Sequence, residues 1–181
     1  DSNNHGAVEY PRSLAANSQR CLPQFPPWQG SWLRPHLHFY RLTAGFRVNG
    51  ILFDTNVLLD IATADVAWLA WSETQFRAAV AQGPILINPI VYAELAPAFA
   101  TQEDMDNWLD AAVFERLPLP YAAGWIAAQA FLKYRRVGGT KASPLPDFYI
   151  GAHAAVEGLT LVTRDAARYR TYFPNVGLIT P

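Results

Sequence analysis

The chain has 181 residues, 51% of them hydrophobic, and a formal net charge of −1, which fits one domain with a sizeable core and room for a small extra element. It contains no apolar run long enough to span a bilayer and no basic-then-apolar leader. Its single cysteine, Cys21, excludes an internal disulfide and fits a reducing, cytoplasmic setting.

In chain order, the first segment is unlike the rest. Residues 1–48 contain Pro11, Pro23, Pro26, Pro27 and Pro35 with Trp28 and Trp32, and no sustained helical or strand period. Proline disfavours helix interiors and central strands, so this stretch is expected to be an irregular or extended arm with a short strand near Leu37–Tyr40. The alternative is sequence upstream of the natural start, because Val48-Asn49-Gly50 leads directly into the first clear strand.

From Ile51 the pattern changes. Ile51-Leu52-Phe53 reads as a buried strand, followed by a short helix from Thr55 to about Ile61. Asp65 is placed to cap a helix over Val66–Ala81, which Gly83-Pro84 stops. Ile85-Leu86-Ile87 is a second strand. Asn88 with Pro89 then opens a helix that carries Glu94 and ends near Pro97. A helix over Glu103–Ala112, a short strand over Val113–Leu117 and a long helix from Pro120 to about Arg136 follow. Gly138-Gly139-Thr140 is a loop. Pro144–Glu157 is the next helix, with Gly158 as its stop, then a strand over Thr160–Thr163, a helix over Ala166–Tyr172 and a last strand over Val176–Ile179. Short apolar strands alternating with helices predict an α/β fold with a mostly parallel sheet covered on both faces.

Four acids stand where strands hand over to helices or loops: Asp54, Glu94, Asp147 and Asp165. Ligands of open α/β sheets bind outside the carboxyl ends of the strands, so all four are expected to face one cavity. Each has an ordinary structural alternative. Asp54 and Asp165 are placed to cap the helices that follow, Asp147 to favour a helix dipole, and Glu94 to sit on an exposed helix face. Together, four carboxylates at one edge repel one another unless a cation neutralises them. All-oxygen ligands suit Mg²⁺ or Mn²⁺ over Zn²⁺. The histidines add little to zinc: His5, His36 and His38 lie in the arm, and His153 projects from a different helix face than Asp147.

Such a centre activates water and stabilises charge on a phosphoryl group during in-line displacement. Asn56 and Thr163 are candidates to orient ligands or water, against an alternative of turn and cap hydrogen bonding. Lys141 is a candidate phosphate contact on the loop entering the Asp147 helix. The charge is uneven. Residues 1–47 hold five arginines against two acids, and residues 48–181 hold nine basic and thirteen acidic side chains. Within the acidic body, Lys133, Arg135, Arg136 and Lys141 precede Asp147, and Arg164, Arg168 and Arg170 surround Asp165. They are either solvated helix faces or a phosphate track.

The run Ile51-Leu52-Phe53-Asp54-Thr55-Asn56-Val57-Leu58-Leu59-Asp60 resembles the opening of PIN-domain nucleases. Asn88-Pro89-Ile90-Val91-Tyr92-Ala93-Glu94-Leu95 resembles their second acidic motif, and Pro144-Leu145-Pro146-Asp147-Phe148-Tyr149-Ile150-Gly151-Ala152-His153-Ala154 the third. Leu161-Val162-Thr163-Arg164-Asp165, with Tyr169, Phe173, Pro174 and Leu178, resembles the fourth and the closing strand. The resemblance covers about residues 49–181 and is nearest to the VapC-type toxins of bacterial toxin–antitoxin pairs. It implies a three-layer α/β/α nuclease domain over 49–181 and a metal-dependent endoribonuclease that cleaves RNA phosphodiester bonds. On this basis Asp54, Glu94, Asp147 and Asp165 would hold one or two Mg²⁺ or Mn²⁺ ions. A cognate antitoxin and a homodimer are implied as partners. Trp68, Trp71 and Phe76 would serve such contacts, or else pack in the core. The arm has no counterpart in the family pattern.

Two rival classes are a phosphohydrolase with an aspartyl nucleophile and a non-catalytic RNA-binding module. The first commonly needs a second Asp two residues after the first, where this chain has Asn56.

Overall fold

The computed structural model describes residues 50–181. The expected arm over 1–48, its strand near Leu37–Tyr40, Cys21 and the three arm histidines lie outside the described residues. The described part is built from β1 (Ile51–Phe53), α1 (Thr55–Ala62), α2 (Leu69–Val80), β2 (Ile85–Ile87), α3 (Pro89–Leu95), a 3₁₀ turn (Ala96–Ala98), α4 (Gln102–Trp108), β3 (Phe114–Arg116), α5 (Tyr121–Arg136), α6 (Pro146–Glu157), β4 (Thr160–Val162), α7 (Ala166–Tyr172) and β5 (Leu178–Ile179).

The five strands form one sheet in the order β3-β2-β1-β4-β5, and every neighbouring pair is parallel. The chain walks outward from β1 to β3, then returns across the sheet to lay β4 on the other side of β1. Right-handed crossovers therefore place the helices before β3 on one face and those after it on the other. The main packing agrees: α1 contacts α2 and α3, whereas α5 contacts α6 and α6 contacts α7, with α3 also touching α6. This is the expected three-layer α/β/α arrangement.

The strands are short because they need only cross the core. Leu52, Phe53, Ile85, Leu161 and Val162 are wholly inaccessible, and fully burying one such side chain contributes about 1.5–3 kcal/mol. An aromatic row lines one layer, with ring centroids of Phe53–Phe76, Phe76–Phe114, Phe114–Trp108 and Trp108–Phe99 at 6.1, 5.8, 5.6 and 5.7 Å. The other layer is joined by Tyr134–Phe148 at 5.9 Å and Phe148–Tyr172 at 5.0 Å. Phe76 is thus a core residue, Trp71 packs half-buried against the core, and Trp68 meets Trp71 edge-on at 6.4 Å.

Local signals act as expected at most helix ends. Asn88 Oδ1 accepts from the backbone N–H groups of Ile90 and Val91, both at 3.0 Å, with Pro89 at the first helical position. Gly158 ends α6 with φ 65°, a left-handed conformation that glycine adopts without strain. Three starts and stops differ. Asp65 does cap, accepting from Ala67 and Trp68 N–H at 2.9 and 3.0 Å, but Val66–Trp68 form a turn and α2 proper begins at Leu69. The helix expected over Glu103–Ala112 ends at Trp108, because Asp110 folds a turn in which its side chain accepts from Ala112 N–H and its carbonyl from Val113 N–H. The helix expected from Pro144 begins at Pro146. Among the described residues no helix is long and apolar enough to cross a membrane.

The α6–α7 contact depends on a missing side chain. A Cβ on Gly151 would come within 2.4 Å of the Phe173 ring and 3.0 Å of Tyr169, and both rings are buried. Gly151→Ala is therefore expected to lower stability by about 1–3 kcal/mol in urea denaturation, despite the better helix propensity of alanine.

Candidate active site

Asp54 follows β1 at the point where the strand order reverses, between β1 and β4. Its backbone N–H continues the ladder by donating to Val162 O at 2.9 Å. Asp54 stands at the N-cap of α1, yet its side chain makes no cap hydrogen bond. The carboxylate turns inward instead. Its Oδ2 accepts from Thr163 Oγ1 at 2.6 Å, Asn56 Nδ2 at 2.8 Å and Tyr169 Oη at 3.2 Å. Only 2% of the residue is exposed. Burial pushes its pKa up against these hydrogen bonds, and the charge of Glu94 adds to the rise. Burial, together with the charge and hydrogen bond of Asp54, drives the Tyr169 hydroxyl well above its ordinary value, so it stays a donor.

Register explains why Thr163 reaches Asp54: Phe53 pairs with Val162, so the next residue on each strand is adjacent. The Thr163 hydroxyl is fully used, donating to Asp54 while accepting from Asn56 Nδ2 at 3.3 Å and Asp165 N–H at 3.0 Å. Asn56 Oδ1 in turn accepts from Arg164 N–H at 3.2 Å. Asn56 and Thr163 therefore lock the β4–α7 loop to the start of α1.

Glu94 leans back from α3 over the same edge, and Thr55 Oγ1 donates to its Oε2 at 2.7 Å. Asp54, Glu94 and Asp147, carried by three different parts of the chain, line one cavity of about 430 Å³ with Thr55, Asn56, Leu59 and Pro97. Asp165 is not among the lining residues. It caps α7 through Oδ1, which accepts from Arg168 N–H at 3.2 Å. Its Oδ2 lies 3.3 Å from Arg168 Nε, and the same guanidinium pairs with Asp147 Oδ2 through Nη1. Arg168 thus holds two of the four acids at once. Among the described residues no three His, Cys, Asp or Glu side chains form a ready-made cation cluster.

Lys141 is exposed and does not line the cavity; its carbonyl accepts from Arg135 Nη1 at 2.9 Å. Lys133 Nζ donates to Thr171 O at 2.7 Å and sits over the Tyr172 ring. Two of the four basic residues before Asp147 thus serve as braces. Arg164 pairs with buried Asp60 at 3.1 Å, lies over the Trp68 ring at 5.1 Å and so pins the same loop to α1 and α2. Burial raises the Asp60 pKa, opposed by the Ser72 hydroxyl, which donates at 2.7 Å, and by Arg164. His153 is buried; Asn88 Nδ2 lies 3.1 Å from its Nδ1, and burial lowers its pKa. It joins α6 to the end of β2 and is not among the residues lining the cavity.

Sequence reasoning gave no role of their own to Thr55, Asp60 and Tyr169, and it read Arg168 only as a solvated or phosphate-tracking neighbour of Asp165. Arg168 had a local signal, since it stands one helical turn after Asp165. Asp60 and Arg164 are 104 positions apart, and no spacing pairs them.

A parallel α/β sheet with an acidic crevice at its switch point defines the class. The family model of the PIN domain matches residues 51–174, and the chain belongs to this family. Solved structures share the fold: VapBC2 from Rickettsia felis bound to a DNA fragment from their promoter (19% identity, TM-score 0.55, 72% of this chain and 98% of that one); FitAcB from Neisseria gonorrhoeae (21%, 0.52, 71% and 96%); and a toxin–antitoxin complex from Klebsiella pneumoniae (22%, 0.52, 72% and 97%). Comparison with curated proteins gave no match.

The buried charge of Asp54 has a thermodynamic consequence. A carboxyl whose pKa is raised on folding favours the native state at low pH, and that contribution is lost as pH rises through the folded pKa. In chelator-treated protein at pH 7, Asp54→Asn is expected to raise the thermal midpoint by about 3 °C. The gap should close as pH falls toward the ordinary carboxylate range, followed by calorimetry.

Proposed function

We propose that this chain is a metal-dependent endoribonuclease that cleaves RNA phosphodiester bonds, the toxin of a toxin–antitoxin pair. The observation that carries this reading is the convergence of Asp54, Glu94 and Asp147 on one cavity in a PIN-domain chain. The donor set fits a hard divalent cation: it is all oxygen, and Asp54 is a buried carboxylate whose ionised form has no positive partner among the described residues. Asp54, Glu94, Asp147 and Asp165 would hold Mg²⁺ or Mn²⁺, which when bound supplies an activated water and charge neutralisation at the phosphoryl group.

The chain's own residues set the stage. Asn56, Thr163 and Tyr169 fix the Asp54 carboxylate in one orientation, and Thr55 fixes Glu94. Holding such groups in place before the substrate arrives lowers the cost of organising them in the transition state. The likeness to a toxin–antitoxin complex supports an antitoxin partner. A homodimer belongs to the same reading. Tyr121, Trp125 and Leu132 share one exposed face of α5, which is apolar surface suited to such a contact.

The test is cleavage of single-stranded RNA by the purified chain, freed of any inhibitor protein. Activity is expected with Mg²⁺ or Mn²⁺, absent with EDTA, and reduced about a hundredfold or more in Asp54→Asn. Full activity of Asp54→Asn would refute the site; RNA binding without cleavage would favour a non-catalytic module.

A further inference from the structure

We infer that Arg168 is a built-in competitor for the cation, its guanidinium bridging Asp147 and Asp165 in the metal-free protein and yielding them when a divalent ion binds. The inference rests on the metal centre proposed above and adds a residue that sets its affinity.

Both oxygens of Asp165 face Arg168. Oδ1 accepts the Arg168 backbone N–H at 3.2 Å, and Oδ2 lies 3.3 Å from Nε. Nη1 of the same guanidinium pairs with Asp147 Oδ2. The planar fork of arginine can serve two carboxylates at once, which a lysine ammonium does less well. Asp147 lines the cavity with Asp54 and Glu94, whereas Asp165 does not. Arg168 thus holds one acid that lines the cavity and one that does not, and it supplies positive charge to two of the four carboxylates.

The local structure favours this arrangement. Arg168 stands three residues after Asp165 on α7, so cap and ion pair form within one turn. Tyr169, the next residue, is anchored by Asp54, which keeps α7 seated against the site. The Arg168 and Asp165 side chains are 39% and 38% exposed and that of Asp147 23%, so the bridge is accessible and weak enough to exchange. A divalent ion taking Oδ2 of Asp147 or of Asp165 displaces one of these contacts, because Arg168 holds that oxygen of each acid. Its apparent affinity is thereby lowered by the strength of the bridge.

The experiment is isothermal titration of the full chain, free of antitoxin, with Mn²⁺. Wild type is compared with Arg168→Gln and Arg168→Lys, with Asp54→Asn as the control that abolishes binding at the centre. Arg168→Gln should bind Mn²⁺ roughly twofold to fivefold more tightly, the effect of removing a half-exposed ion pair. Arg168→Lys keeps the charge without the fork and should fall between, and it carries the test if Arg168→Gln does not fold. Without metal, Arg168→Gln should melt below wild type, and saturating Mn²⁺ should narrow the gap. Binding to Arg168→Gln alone would support the competition in its extreme form. Equal affinity, or weaker binding by both variants, would overturn the competition while leaving the metal centre intact. Absence of Mn²⁺ binding by every protein would overturn the centre and the competition together.

Discussion

A buried carboxylate with like-charged neighbours is the constraint around which this structure is arranged. Asp54 lies at the junction of β1 and β4, 2% exposed, with Glu94 and Asp147 opening onto the same cavity. Desolvation disfavours its charge, and each further acid worsens the balance. The surroundings answer in two ways. Neutral donors from α1, the β4–α7 loop and α7 converge on one oxygen of Asp54. Arginine takes charge of the acids nearer the surface.

The same contacts hold the molecule together where backbone pairing is sparse. The β4–α7 loop has few ladder hydrogen bonds of its own. It is tied to α1 by Asn56, by the Thr163 hydroxyl and by the Arg164–Asp60 pair, with Ser72 completing the coordination of Asp60 from α2. Removing one partner of such a network leaves another buried polar group unpaired, so its members act as a unit. Structure and chemistry share these residues, and this explains why polar side chains crowd a region that could otherwise be apolar.

Much of the fold was legible in local pattern. Three-residue apolar runs bounded by turn residues marked β1 and β2, the stretch Thr160–Thr163 marked β4, and the Asn88-Pro89 and Gly158 signals marked real helix ends. Helix starts at Leu69 and Pro146 and the early end at Trp108 were not legible, because caps and turns compete over a few residues by small energies. Of the candidate site residues, Asp54, Glu94, Asp147 and Asn56 were brought to one cavity by the topology expected from alternating strands and helices. Asp165 was placed at the right edge but not in the cavity lining. Lys141 was placed on the right loop, exposed and away from the cavity.

By itself the sequence determined the parallel α/β class, the four acids and the family motifs around them, because these follow from period, spacing and residue type. Only the tertiary structure decided how the charges are balanced. Arg168 and Arg164 looked alike as basic neighbours of Asp165. One bridges Asp147 and Asp165, and the other lies over Trp68 and pairs with Asp60. Which acid each would meet depends on how β4 returns beside β1 and how α7 packs on α6. The pairing of β4 with β1 joins positions more than a hundred residues apart, and no local pattern encodes it.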